Sequence, residues 1–378
     1  MNRVTPFRWT TAALLGVATL TLVLVTGCGS RTSTKPFSRT ELLLGTTITM
    51  TVYDRVDPSV LEKAFARVRD IHNRMTTEGN SSEVVEINRN AGIKPVQVTP
   101  DVFDVIKTAL EFSKLTDGAF DISVGPIVKL WGIGTDHEQL PSPEEIKKLL
   151  PLVNWHWIKL NEADHSVYLE KKGMGIDLGG IAKGYAADQA EQILIKEGVK
   201  HAILDFGGNI LVMGAKPDGK PWRIGIQTPF APRGGYLGIV NATNMSVVTS
   251  GPYERYFIRN GVMYHHIINP KTGYPVQDHL TSTTIYSNVS MICDGLSTSV
   301  FVLGLENGYK LIRDMKGVDA IFVTDNKKVY YTPGLDGKFT LTNSDYHIED
   351  ISTAAAGPNY TPPVSTIDQI EKADNVTN

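Results

Sequence analysis

The chain has 378 residues, of which 37 are Lys or Arg and 40 Asp or Glu, for a formal charge of −3. That balance leaves no basic footprint for a nucleic-acid partner, and 42% hydrophobic with 20% charged residues excludes wholesale disorder. Only two cysteines occur, Cys28 and Cys293, which excludes a disulfide-rich scaffold and a thiolate zinc site.

The N-terminus reads as an address. Arg3 and Arg8 precede an uncharged apolar run, Trp9 to Val25, the pattern of a secretory signal over residues 1–27. The run is at the lower limit for a membrane span. Val25-Thr26-Gly27-Cys28 resembles the bacterial lipobox, which implies an acylated Cys28 and an extracytoplasmic domain lipid-anchored to the bacterial cell membrane. Residues 28–39 read as a polar tether, 40–342 as the folded body, and 343–378 as a flexible tail poor in core-forming residues.

Within the body, Leu42–Tyr53 alternates β-branched residues and predicts a strand. Ser59 and Glu62 have capping-box spacing, and Leu61, Ala64, Phe65, Val68, Ile71 and Met75 follow at helical intervals. Thr99-Pro100 opens a helix to about Leu115, and Ser142-Pro143 with Glu145 opens another that stops at Pro151. Ile181–Glu197 is helical and ends at Gly198. Ala202–Leu204 and Ile210–Met213 are strands joined through Gly207-Gly208-Asn209. Asn260-Gly261 predicts a hairpin between Arg255–Arg259 and Val262–His266. Asp294 has the position of an N-cap, Glu306–Met315 is helical, and Asp325-Asn326 joins a last hairpin, Ala320–Val323 with Lys328–Tyr331. Strands that come as adjacent hairpins favour an α+β fold with antiparallel sheet over a doubly wound one.

Several segments could carry chemistry. Gly118–Pro126 is a Gly- and Pro-punctuated loop, with Phe120 either a core plug or part of a site. Asp177-Leu-Gly-Gly-Ile-Ala-Lys183-Gly184 opens a helix, where free N–H groups and Lys183 suit an anion; a simple capped helix start is the alternative. Neither the dinucleotide fingerprint nor the P-loop pattern occurs. Thr249-Ser250-Gly251 lacks the G-x-S-x-G elbow of a serine hydrolase. On a strand His265 and His266 face opposite ways and do not share a metal. His266 is the candidate for proton transfer, since imidazole titrates near neutrality. Asp294 and Thr298, four residues apart, share a helical face, and a carboxylate with a hydroxyl suits a hard cation such as Mg²⁺.

Taken in order, Leu44-Gly45-Thr46, Ser82-Glu83 through Asn88, GAFDISVGP with Trp131-Gly132, IDLGGIAKGYAAD, GGN, TSGPYERYF, HHIINPKTGYP and DGLSTSVFVLG resemble the FAD:protein FMN transferases, the ApbE family, over roughly residues 40 to 333. The resemblance implies a T-fold-like α+β architecture of antiparallel sheets and packed helices in two closely joined subdomains. It implies FAD as substrate, held by Leu44, Glu78, Ala119, Phe120, Asp121, Asp177, Lys183 and Ile268. It further implies Mg²⁺ on the Gly180 carbonyl, Asp294 and Thr298, with Asp294 also a candidate in proton transfer. The implied reaction moves FMN from FAD to a Thr or Ser hydroxyl of an acceptor flavoprotein subunit in a membrane-associated redox system, releasing AMP. A flavin-holding lipoprotein and an FAD pyrophosphatase are the alternatives. The chain departs from the family pattern at Leu44, Glu78, Pro252 and Asn269. Ser352 and Thr353, after Asp350, loosely resemble an acceptor segment.

Overall fold

The β-branched run near the N-terminus forms two strands, not the single one expected over Leu42–Tyr53. Leu44 and Gly45 both take positive φ, 51° and 69°, as a two-residue hairpin turn requires. β1 (Phe37–Leu43) therefore folds back antiparallel on β2 (Thr46–Val52), with Leu43 opposite Thr46. Leucine rarely adopts this conformation, so the pattern of hydrophobic residues conceals the turn and only Gly45 marks it. This computed structural model describes residues 35–232 and 234–351. The expected signal peptide, Cys28, the tether before Lys35, Ser352, Thr353 and the rest of the tail lie outside the described residues. Pairing begins at Phe37, within the segment read as tether, and Tyr346 beyond residue 342 is buried.

α1 (Ser59–Met75) buries the residues its spacing marks, from Leu61 to Met75. Its start differs from the expected capping box. Asp57 Oδ1 accepts from Ser59 N at 2.8 Å, and the Glu62 carboxylate is engaged by Arg39 and Arg69. Two arginines outcompete a backbone N–H for that carboxylate. α2 (Glu83–Arg89) is capped by Ser82, whose hydroxyl accepts from Val85 N. β3 (Val96–Gln97) leads to α3 (Pro100–Leu115). α4 (Gly125–Trp131) and α5 (Pro143–Leu149) follow, the latter with the predicted Ser142–Glu145 capping box in place. β4 (Ile158–Asn161) and β5 (Ser166–Leu169) pair beside β3, and α6 (Ala182–Lys196) comes next.

The remaining strands are β6 (Ala202–Asp205), β7 (Asn209–Met213), β8 (Trp222–Gln227), β9 (Tyr236–Ala242), β10 (Met245–Ser250), β11 (Tyr256–Arg259), β12 (Val262–His265) and β13 (Leu280–Ser287). After α7 (Ser290–Leu303) and α8 (Leu305–Arg313) come β14 (Asp319–Thr324), β15 (Lys328–Tyr331), β16 (Phe339–Leu341) and β17 (His347–Ile348). One nine-stranded sheet runs β1-β2-β6-β7-β10-β13-β14-β15-β17, antiparallel except for β15 with β17. β11 and β12 form a separate hairpin. The α+β class and the hairpin connectivity read from the sequence both hold.

Alternation along the strands sets the two cores. On β7, Leu211 and Met213 join the main core with α1, α3, α6 and α7, while Ile210 and Val212 face a second core under β8, β9 and β16. A third cluster joins Ile127 and Trp131 of α4, Ile146 of α5 and Ile268, with Phe257 and Tyr264 of the hairpin packed on it. Trp131 Nε1 donates to the Gly273 carbonyl at 2.9 Å. This cluster fixes the segment after β12 against α4 and α5.

Glu191 on α6 gives the fold a pH signature. Burial alone raises its carboxyl from 4.5 to about 7. The native state therefore holds a proton that the unfolded chain releases between these two values, and stability falls as pH rises through that window. Glu191→Gln is expected to be about 1–2 kcal/mol more stable than the parent at pH 8 and nearly equal to it at pH 4.5. Urea unfolding at the two pH values measures the difference.

Candidate active site

The turn at Leu44, the loop before α4, the start of α6, the segment after β12 and the first turns of α7 converge on one cavity of about 540 Å³. That volume suits a cofactor-sized molecule. Leu44, Glu78, Ala119, Phe120, Asp121, Asp177, Gly180, Lys183, His266, Ile268, Asp294 and Thr298 all line it. Every candidate residue within the described part of the chain is thus brought to one place from segments as far apart as positions 44 and 298.

The loop before α4 is held by its own carboxylate. Asp121 Oδ1 accepts from the backbone N and the hydroxyl of Ser123 at 2.8 and 2.7 Å, and Oδ2 accepts from Trp155 N at 3.1 Å. Burial pushes its carboxyl up, against the opposing pull of these donors. Asp177 N donates to the Ile122 carbonyl, joining this loop to the approach to α6, and Asp177 Oδ1 accepts from Gly179 N at 2.7 Å. Phe120 packs across Gly180: a Cβ at Gly180 would lie 3.1 Å from its ring and 3.6 Å from Thr298 Oγ1. Gly180 therefore leaves a cradle bounded by an aromatic edge and a hydroxyl.

Asp294 was expected as an N-cap. It lies one turn inside α7, which begins at Ser290. The cap comes instead from α6, where Asp188 Oδ1 and Oδ2 accept from Ser290 N and Met291 N, each at 2.8 Å. The first N–H groups of α7 are thus satisfied from a neighbouring helix, leaving Asp294 free to face α6. Its Oδ2 accepts from Gly184 N at 2.9 Å, and Lys183 Nζ lies 3.1 Å from Oδ1. Asp294 is buried, and Thr298 sits one turn further along the same helix face.

Gly184 makes this arrangement possible. A Cβ there would lie 2.3 Å from the Ser290 carbonyl oxygen and 2.6 Å from Met291 Cα. Alanine normally stabilises a helix relative to glycine by up to about 1 kcal/mol. Here the clash is with backbone and reverses the sign. Gly184→Ala is expected to destabilise the protein by about 2 kcal/mol, measured by urea unfolding.

His265 and His266 face opposite ways, as expected. His265 is buried, with Nε2 on the Val276 carbonyl at 2.8 Å. His266 lines the cavity, with Nδ1 3.2 Å from the Arg255 carbonyl. A carbonyl only accepts, so Nδ1 carries the proton and Nε2 keeps its lone pair. Burial first, then the charge of Arg255, holds the His266 imidazole well below its ordinary range, with His265 and Lys183 adding to the effect. The ring is therefore neutral at pH 7. Ser250 also lines the cavity, but its hydroxyl meets Ser297 Oγ at 2.8 Å instead of an imidazole, consistent with the absence of a hydrolase elbow. Cys293, next to Asp294 on α7, is fully buried.

Sequence reasoning missed three contributors. Arg255 lies in the cavity wall, and a Cβ on Gly45 would be 4.0 Å from its Nη1. Gly184 and Asp188 set the α6–α7 contact. Gly184 and Asp188 lie one helical turn apart on α6, which was the available signal, but its meaning depends on α7 lying alongside.

The wall carries five carboxylates (Glu78, Asp121, Asp177, Glu254 and Asp294) against the strong cations Lys183 and Arg255. Among the described residues no group of three or more His, Cys, Asp or Glu side chains could hold a metal ion. The expected set contains a single carboxylate, with a carbonyl and a hydroxyl. These are all oxygen donors of the kind a hard cation takes, and the Asp294 carboxylate already meets a positive charge, the Lys183 ammonium. By donor type alone, the residues present fit a divalent ion.

Residues 44–322 match the ApbE family. A FAD:protein FMN transferase of Klebsiella pneumoniae is 35% identical over 83% of this chain and 97% of its own length. One from Treponema pallidum is 34% identical over 89% of this chain and 97% of its own. Among solved structures, the ApbE protein of Thermotoga maritima superposes with a TM-score of 0.75 at 30% identity, covering 80% of this chain and 99% of that one. The Vibrio cholerae flavin transferase ApbE gives 0.72 at 25% identity, with 80% and 99% coverage.

Proposed function

The chain belongs to the ApbE family, and from that premise we propose that it is an enzyme that transfers FMN from FAD to a Thr or Ser hydroxyl of an acceptor protein, releasing AMP. Flavin transfer to protein is the activity its relatives are named for. The observation that carries the reading is the convergence of the candidate flavin and metal residues among the described residues on one cavity.

FAD is a pyrophosphate that joins FMN to AMP. In the proposed step the acceptor hydroxyl oxygen bonds to the FMN-side phosphorus while the bond from that phosphorus to the bridging oxygen breaks. AMP leaves with the bridging oxygen. His266 Nε2, neutral and unprotonated, takes the hydroxyl proton. Lys183 and Arg255 line the cavity where they can face the anionic linkage, and Phe120, Ile268 and Leu44 supply apolar wall beside it. The carboxylates in the wall and the dianionic pyrophosphate favour further positive charge at the linkage. Gly180, Asp294 and Thr298 would hold Mg²⁺ to supply it. When bound, the ion supplies Lewis-acid polarisation of phosphate oxygens. Asp121 acts mainly by holding the loop that walls the cavity, since its oxygens are taken by Ser123 and Trp155.

We place the enzyme outside the cytoplasm, anchored through Cys28, with its acceptor a flavoprotein subunit of a membrane-associated redox system. The decisive experiment mixes the full chain with FAD, Mg²⁺ and a candidate acceptor. In-gel flavin fluorescence on the acceptor with stoichiometric AMP supports transfer. FMN and AMP in solution without labelled protein would make it a pyrophosphatase, and bound but intact FAD a flavin holder.

A further inference from the structure

Lys183 lines the cavity with its ammonium held on Asp294. Its Nζ lies 3.1 and 3.4 Å from the two Asp294 oxygens and donates to the Gly179 carbonyl at 3.0 Å. The Asp294 side chain is 4% exposed and that of Lys183 21%, so the ammonium sits between a buried carboxylate and the open cavity. Among the described contacts it is the one side-chain cation on that carboxylate. Asp294 Oδ2 is also tied to Gly184 N, so the carboxylate cannot turn to serve a second partner without losing a buried hydrogen bond.

We propose that Lys183 is an exchangeable counter-ion, displaced from Asp294 by a divalent cation and taken up by the pyrophosphate of FAD, so that cation and dinucleotide bind cooperatively. This rests on the metal reading given above. An ammonium and a dication in contact with one carboxylate would stand within contact range of each other, in a site poorly screened by water. One of them must leave. Gly184 N is fixed in the backbone, whereas Lys183 has a flexible four-carbon stem and already reaches the cavity. Without FAD the displaced ammonium faces the cavity with no phosphate to receive it. With FAD it gains two phosphate charges. The cation therefore binds poorly alone and well beside the dinucleotide, and by linkage FAD gains the same factor from the cation.

The test titrates Mn²⁺ as probe into the full chain in detergent, without flavin and with saturating FAD, read by electron paramagnetic resonance or calorimetry. The wild type is expected to tighten its Mn²⁺ Kd at least tenfold when FAD is present. Lys183→Met is expected to bind Mn²⁺ alone at least tenfold more tightly than the wild type, and to lose most of the FAD effect. If Lys183→Met unfolds, Lys183→Gln, which can still donate to Gly179, is judged by the same criterion. A lysine variant that binds Mn²⁺ no tighter than the wild type overturns the exchange. Asp294→Asn separates the two levels: Mn²⁺ binding unchanged in that variant overturns the metal reading itself, and the exchange with it.

Discussion

Asp294→Asn is expected to lower FMN transfer by roughly 10³-fold or more while the protein stays folded. Asp294 joins both halves of the chemistry, since its carboxylate faces the Lys183 ammonium and is the single anionic donor in the proposed ion site. The amide oxygen of Asn can still accept from Gly184 N, so the α6–α7 contact survives and the melting temperature moves little. Asp294→Ala removes that acceptor as well and leaves a buried N–H unpaired, at an added cost of about 1–3 kcal/mol. Comparing the two variants separates charge from structure. Flavin incorporation into the acceptor, followed by in-gel fluorescence, gives the rate. Retained transfer by folded Asp294→Asn in Mg²⁺ would remove the ion site from the mechanism.

His266→Gln is the second large effect, expected at about 10²–10⁴-fold in kcat/KM with FAD binding kept. The sign of its pH dependence follows from the lowered imidazole. Below its folded-state value His266 is protonated and cannot accept the hydroxyl proton; above that value it is fully competent. Burial and Arg255 hold this value well under 6.5, so kcat/KM should stay level from pH 7 down through 6.5 and fall only in more acidic buffer. The Gln variant should lack that acid limb. A profile that breaks at 6.5, or a Gln variant with near-normal rate, would assign the base to another group. The same depression makes folding stability fall as pH drops below 6.5, because the unfolded imidazole protonates first. Activity below pH 6 must therefore be read beside an unfolding curve.

Local patterns carried far. The Ser142–Glu145 box, the Pro100 start of α3 and the Asn260-Gly261 turn were legible because each depends on residues within a few positions. The site residues were legible through the resemblance of several ordered motifs. The reversal at Leu44, the α1 cap from Asp57 and the start of α7 four residues before Asp294 were not. In each, a competing partner or a strained backbone overrode the local preference. Leu44 takes positive φ at a hairpin tip in the cavity wall. Glu62 prefers two arginines. α7 needs no cap at Asp294 because Asp188 caps it from another helix.

What the amino-acid order determined was which segments turn, which alternate and which chemistry each could offer. These are short-range matters of sterics and periodicity. Which oxygen meets which cation was decided only when α6 and α7 crossed closely enough to need a glycine at 184. That crossing brings a lysine and an aspartate 111 positions apart to 3.1 Å, and no local preference encodes such a distance.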